Sequence, residues 1–210
     1  RGATVDGVFA MWYGKGPGVD RCGDVFKHAN YAGTSKHGGV LLIAGDDPSA
    51  RSSAVAHQSE HIFSACGIPV LAPANLQEYL DYGLHGWAMS RYSGCWVALK
   101  LTSDTAESSA VVEVDADRYD FHTPGDFTLP ADGVHLRWPD PQLAQEHRLQ
   151  QYKVYAAIAY ARANGLNRLV GLGYAVPGAV IAVGVLIPVT RLDNWLAGQW
   201  ELWFGHNPGL

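Results

Sequence analysis

The chain has 210 residues, enough for one sizeable core, and carries a net charge of -5 with 17% Asp, Glu, Lys and Arg. Its Lys and Arg residues are scattered with no basic run, which excludes a nucleic-acid-binding face as the organising feature. Cys22, Cys66 and Cys95 are odd in number and far apart with no Cys-x-x-Cys pair. They lack an iron–sulfur or zinc-ribbon signature and read as reduced thiols.

The first predicted element is an apolar strand, Val8 to Trp12, within a run that starts at Val5. It enters a glycine-rich stretch, Gly14-Lys15-Gly16-Pro17-Gly18. This is expected to be a turn with positive φ and close approach to a ligand. Asp20 is placed as the cap of a helix over 21–31, closed by Gly33. Val40 to Ala44 is continuously apolar and reads as a central strand buried on both faces. Residues 45–56 form a loop of small residues, followed by a helix over 57–65 and a strand over 68–72. Asn75 caps a longer helix carrying Leu76, Tyr79, Leu80, Leu84, Trp87 and Ala88 at near-helical spacing. Residues 96–101 make a fourth strand and 111–114 a fifth. Strands alternating with helices predict a parallel sheet with crossover helices. Ligands of such sheets sit beyond the carboxyl ends of the strands.

Residues 115–140 are rich in Pro and Asp and read as a linker or covering loop. Residues 141–164 follow as a long helix, with Leu143, Leu149, Tyr152, Tyr155, Ala156, Ala159 and Tyr160 on roughly one side. Gly173 to Thr190 has no charge over 18 residues, just long enough to span a bilayer. Trp195, Trp200 and Trp203 suit an interfacial belt.

Three polar groupings carry chemistry. Lys15-Gly16-Pro17-Gly18 reads either as an anion or cofactor loop at a strand end or as a plain tight turn. Gly45-Asp46-Asp47 followed by Asn75 imitates a magnesium signature of thiamine enzymes, but Asp47 stands where that signature has glycine. A polar loop facing the crevice is the preferred reading. His57-Gln58-Ser59-Glu60-His61 matches the H-x-x-E-H pattern of zinc peptidases if all of it is helical. The rival is an ordinary polar helix start, and no metal ligand is assigned.

The segments WYGKGPGVDR, HANYAGTSKHGGVLLIAGDD, AHQSEH, LDYGLHGWAMSRYSGCWVALK and EHRLQQYKVYAAIAYARANGLNR resemble the indolepyruvate ferredoxin oxidoreductase family. The resemblance covers residues 5–168. These are thiamine-diphosphate-dependent 2-oxoacid oxidoreductases. It implies a three-layer α/β/α parallel sheet over residues 1–115, the half that holds the aminopyrimidine of thiamine diphosphate, truncated at the N-terminus. Residues 116–168 would connect it to the next domain. It further implies a 2-oxoacid substrate, coenzyme A and ferredoxin as partners of the parent enzyme, an oligomeric assembly and a cytoplasmic location for residues 1–168. Thiamine diphosphate and Mg²⁺ would be shared with a missing domain, and the [4Fe-4S] clusters would lie outside this chain. The residues it places at the cofactor are Lys15, Gly16, Pro17, Gly18, Asp46, Asp47, Ser52, Ser53, His57 and Gln58. The family's Gly-Tyr-Arg-Gly-Ser-Pro loop and its glutamate against the aminopyrimidine ring precede this chain's first residue, so the expectation is a fragment inactive alone.

From Gly173 the resemblance switches. GYAVPGAVIAVGVLIPVTRLDNWLA is similar to a membrane segment of an iron(III)-type ABC transporter permease. The reading is a chimera joined between 167 and 171, with residues 171–210 a hydrophobic helical tail and membrane contact only through 172–190. The alternative function is a permease fragment fused to an inactive enzyme piece.

Overall fold

The computed structural model describes residues 7–137 and 140–167. The apolar segment 173–190, its membrane reading and its permease resemblance lie outside the described residues. Among the described residues no helix is long and apolar enough to cross a membrane.

Four strands form one parallel sheet: β1 Phe9–Lys15, β2 Gly39–Asp46, β3 Val70–Leu71 and β4 Val97–Thr102, in the order β1-β2-β4-β3. Among the described residues seven α-helices accompany them: α1 Gly16–Arg21, α2 Gly23–Ala32, α3 Glu60–Ala65, α4 Leu76–Ser93, α5 Ser103–Ala106, α6 Gln142–Arg148 and α7 Val154–Ala163.

The strand order explains the layering. The chain moves in one direction from β1 through β2 to β3, then reverses to insert β4. Right-handed crossovers therefore put α1 to α3 on one face and α4 on the other. The two cores confirm this division. Leu41, Val97 and Leu99 pack with Tyr82 and Met89 of α4 and with Ala157 and Tyr160 of α7. Leu42, Ala44 and Ala98 pack with Val19, Phe26 and Phe63 of α1 to α3. Side chains alternate across a strand, so a strand covered on both faces must be apolar along its covered length, as β2 is from Val40 to Ala44. The expected three-layer parallel α/β architecture is thus observed.

Several boundaries differ from expectation. Gly14 to Gly18 is no loop: β1 runs through Lys15 and α1 begins at Gly16, with Pro17 at the helix start where its missing N–H costs nothing. None of these glycines has positive φ. Asp20 lies inside α1, and Cys22 separates the two helices, so α2 begins at Gly23. Gly33 does close α2, at φ 89°. Asn75 caps α4 as expected, accepting from the Glu78 amide, with Glu78 bonding back to the Ala74 amide. The strand expected over 111–114 is absent: the backbone is irregular and Val111 and Val114 are exposed, having no neighbouring strand or core to cover them.

The long helix after residue 140 is interrupted by one π turn, Leu149–Lys153. That turn inserts an extra residue and resets the helical phase. Leu149 and Lys153 both become buried, whereas Leu143 and Tyr155, expected on the inner side, are exposed. The described residues of 115–140 contain one short 3₁₀ turn, Ala116–Arg118. They are pinned by buried Val134, by Leu136 donating to the Thr34 carbonyl, and by Asp132 accepting from Arg137 and Arg148.

Candidate functional site

The charged and polar side chains of the strand loops meet at the carboxyl ends of β1, β2 and β4. Lys15, the last residue of β1, donates from Nζ to the Ser52 carbonyl at 2.8 Å and lies 3.2 Å from Ser52 Oγ. It thereby ties the loop after β2 to the end of β1. Asp46, the last residue of β2, is buried. Its carboxylate accepts from the Ser59 amide at 2.8 Å and the Ser59 hydroxyl at 2.5 Å. Asp47 folds the loop on itself, accepting from the Arg51 and Ser52 amides at 2.9 and 2.7 Å. The Ser52 amide, foremost, holds the Asp47 carboxyl below its ordinary range. Ala50, inside this loop, sits at φ 53°, a left-handed conformation costing about 1 kcal/mol.

His57 stands at the centre. Its Nε2 is 2.9 Å from Asp20 of α1 and its Nδ1 is 3.6 Å from Asp46, too long for a hydrogen bond but close for an ion pair. The Asp20 bond, opposed by burial and helped by Asp46, raises the imidazole pKa above its ordinary value. The ring packs directly on Gly16. On the far side of Asp46, Lys100 of β4 lies 3.7 Å from the carboxylate and also bonds Glu60 of α3. Burial, the largest single influence on Glu60, opposes its ionisation, yet the Lys100 bond, a backbone hydrogen bond and the nearby Lys100 and His61 charges together outweigh it and lower the pKa. The result is a chain of alternating charge: Asp20, His57, Asp46, Lys100, Glu60.

Of the residues expected at the cofactor, the structure brings together Lys15, Gly16, Asp46, Asp47, Ser52 and His57. Ser53 Oγ and His57 Nδ1 are buried and have no hydrogen-bond partner. Pro17 and Gln58 are exposed, and Gly18 is part of α1. Three further members enter only with the tertiary structure. Asp20 reads from sequence as a helix cap. Ser59 carries no signal beyond its place in the loop. Lys100 was legible in principle, because a charge inside the apolar run VALKL of a central strand needs a partner.

Both metal patterns fail on geometry. The helix begins at Glu60, so His57 lies before it and does not share a helical face with His61. Asp46 and Asp47 spend their oxygens on the chain's own N–H and O–H groups, and Asn75 spends its oxygen on the α4 cap. The donor set does not fit a magnesium ion, and no cluster of three His, Cys, Asp or Glu able to hold a metal occurs among the described residues.

At the opposite end of the sheet, Lys153 is fully buried and donates to the Asn30 and Tyr31 carbonyls at 3.4 and 3.0 Å. It caps the last turn of α2, where the helix dipole favours a cation. Burial nevertheless depresses its pKa to about 8.

Fold and strand-end site together define a parallel α/β protein with a charged cluster at the carboxyl edge of its sheet. Over 111 residues, 53% of the chain, it is 30% identical to the indolepyruvate oxidoreductase subunit IorA of Methanothermobacter marburgensis. It is 30% identical over 112 residues to that of Methanothermobacter thermautotrophicus, and 28% over 160 residues, 72% of the chain, to that of Archaeoglobus fulgidus. The chain spans only 18% of the length of the Methanothermobacter subunits and 25% of the Archaeoglobus one. These similarities support the indolepyruvate oxidoreductase resemblance and lend none to a permease. No family model and no solved structure matches the chain.

Proposed function

We propose that this chain is a piece of a 2-oxoacid:ferredoxin oxidoreductase of the indolepyruvate type, supplying the half that holds the aminopyrimidine of thiamine diphosphate. The parent reaction would convert an aryl-pyruvate and coenzyme A to the acyl thioester, with reduction of ferredoxin. The observation that carries the reading is the convergence of Lys15, Ser52, Asp46 and His57 on one strand edge, in a chain similar to IorA subunits over half its length.

Ser53 Oγ, buried and without a hydrogen-bond partner, is a polar atom that the ring of a cofactor would satisfy, which supports a place for the organic half of the cofactor where the donor set does not fit magnesium. When bound, thiamine diphosphate supplies the electron sink for decarboxylation. The chain's own part is narrower. Lys15 offers positive charge to an anionic substrate or cofactor group at the end of β1, and protonated His57 fixes the loop that carries Ser52 and Ser53.

The test is a graft. Residues 7–114 replace the matching segment of the Methanothermobacter marburgensis subunit in its assembled enzyme, and indolepyruvate-dependent viologen reduction is followed. Retained turnover is expected. It should fall by about 10-fold or more, about 1.4 kcal/mol, with Lys15→Ala or His57→Ala in the graft. A folded, assembled graft without turnover, or with both variants silent, rejects the reading.

A further inference from the structure

The segment between β2 and α3, residues 47–59, is held down at separate points of different chemistry. Lys15 grips Ser52 from β1. Asp47 accepts from Arg51 and Ser52 within the segment. Arg51 pairs with Asp104 of α5 at 2.7 Å. His57 spans from Asp20 of α1 to Asp46 of β2. Of the side-chain types in these clamps, imidazole is the one whose ordinary pKa lies within the neutral range, and His57 supplies it.

We propose that His57 is a pH-operated clamp: its protonated ring, caught between Asp20 and Asp46, closes residues 47–58 over the strand edge, and deprotonation releases them. The inference stands on this chain's geometry and does not depend on the proposed reaction.

The groups facing His57 decide the sign. Asp20 approaches from α1 and Asp46 from the end of β2. Behind Asp46 stands Lys100 of β4, which also holds Glu60 of α3; Lys15 of β1 is turned to Ser52. Both carboxylates touching the ring favour the imidazolium. A neutral imidazole has one N–H, so it serves one carboxylate at most and leaves the other facing a lone pair. The folded pKa of His57 lies above its unfolded value of 6.5. The clamp is therefore complete below the unfolded value and is lost as pH rises through the folded one. Opening is further assisted by Ala50, whose left-handed backbone is relieved when the loop lets go.

The experiment uses the full 210-residue chain. The ring resonances of His57 are titrated by NMR between about pH 6 and 9. Over the same range, amide exchange of residues 47–58 is measured by mass spectrometry and corrected for its intrinsic pH dependence. Loss of protection should share the midpoint of the His57 titration, with corrected exchange rising roughly three- to tenfold across it. Asp20→Asn, at a half-exposed position, should move both midpoints down together. His57→Gln should leave the segment open and its exchange independent of pH. Protection that is flat with pH in the unmodified chain overturns the proposal, as does an Asp20→Asn variant in which the His57 midpoint moves and the protection profile does not.

Discussion

A Cβ at Gly16 would lie 1.9 Å from Nδ1 of His57. Glycine is required there because the first residue of α1 meets the flat of an imidazole from the next crossover loop. Gly16→Ala should displace His57 from Asp20 and Asp46 and cost about 1–3 kcal/mol. Chemical denaturation gives the stability change, and the His57 ring resonances report the displacement. An Ala variant with both unchanged would show that the ring does not rest on Gly16 in solution.

Ser59→Ala removes the hydroxyl that bonds the buried Asp46 carboxylate at 2.5 Å. The amide of residue 59 still donates, so the loss should be that of one charge-assisted bond, about 1.5–3 kcal/mol. The urea midpoint of the variant measures it. A change within error would mean that water replaces the hydroxyl without cost.

Lys153 links stability to pH at the other end of the sheet. Its pKa falls from 10.5 unfolded to about 8 folded, a burial cost of about 3 kcal/mol while it is charged. Between these values the unfolded chain binds more protons, so this contribution rises with pH and is lost as pH falls through the folded value. Cys95, with its thiol pushed up to about 11 by burial, works in the opposite sense above its unfolded value of 9.0. The stability difference between the unmodified chain and Lys153→Met should therefore grow from about pH 7 to 9 in favour of lysine. Parallel stability curves would place the ammonium in contact with water.

The three thiols are free, and they should react unequally. Cys95 is fully buried and its raised pKa leaves almost no thiolate near neutrality. Cys66 is buried and shifted the same way, while Cys22 is partly exposed between α1 and α2. Alkylation of the native chain should label Cys22 first and Cys95 last, as peptide mass mapping would show. Early labelling of Cys95 would mean that β4 opens from its N-terminal end.

Local signals were legible where one residue type has one local outcome. The cap at Asn75, the stop at Gly33 and the doubly buried strand at Val40 to Ala44 each follow from short-range chemistry or simple alternation. Gly14 to Gly18 misled because glycine serves two purposes, backbone freedom and lack of bulk. The structure uses the second, and the atom that demands it belongs to His57, far along the chain. The run over 111–114 has strand composition, but it found no partner strand.

The sequence by itself determined the parallel α/β class, because the alternation of apolar strands with helices and the apolarity of β2 follow from periodicity and burial alone. It also marked Lys15, Asp46, Asp47 and His57 as strand-end polar residues. Only the tertiary structure decided what they touch. Asp20, His57, Asp46, Lys100 and Glu60 come from α1, the loop before α3, β2, β4 and α3, and they form one line of alternating charge. Crossover handedness and strand order set that convergence. Neither is encoded in the local pattern around any single residue, since both depend on which distant surfaces bury each other.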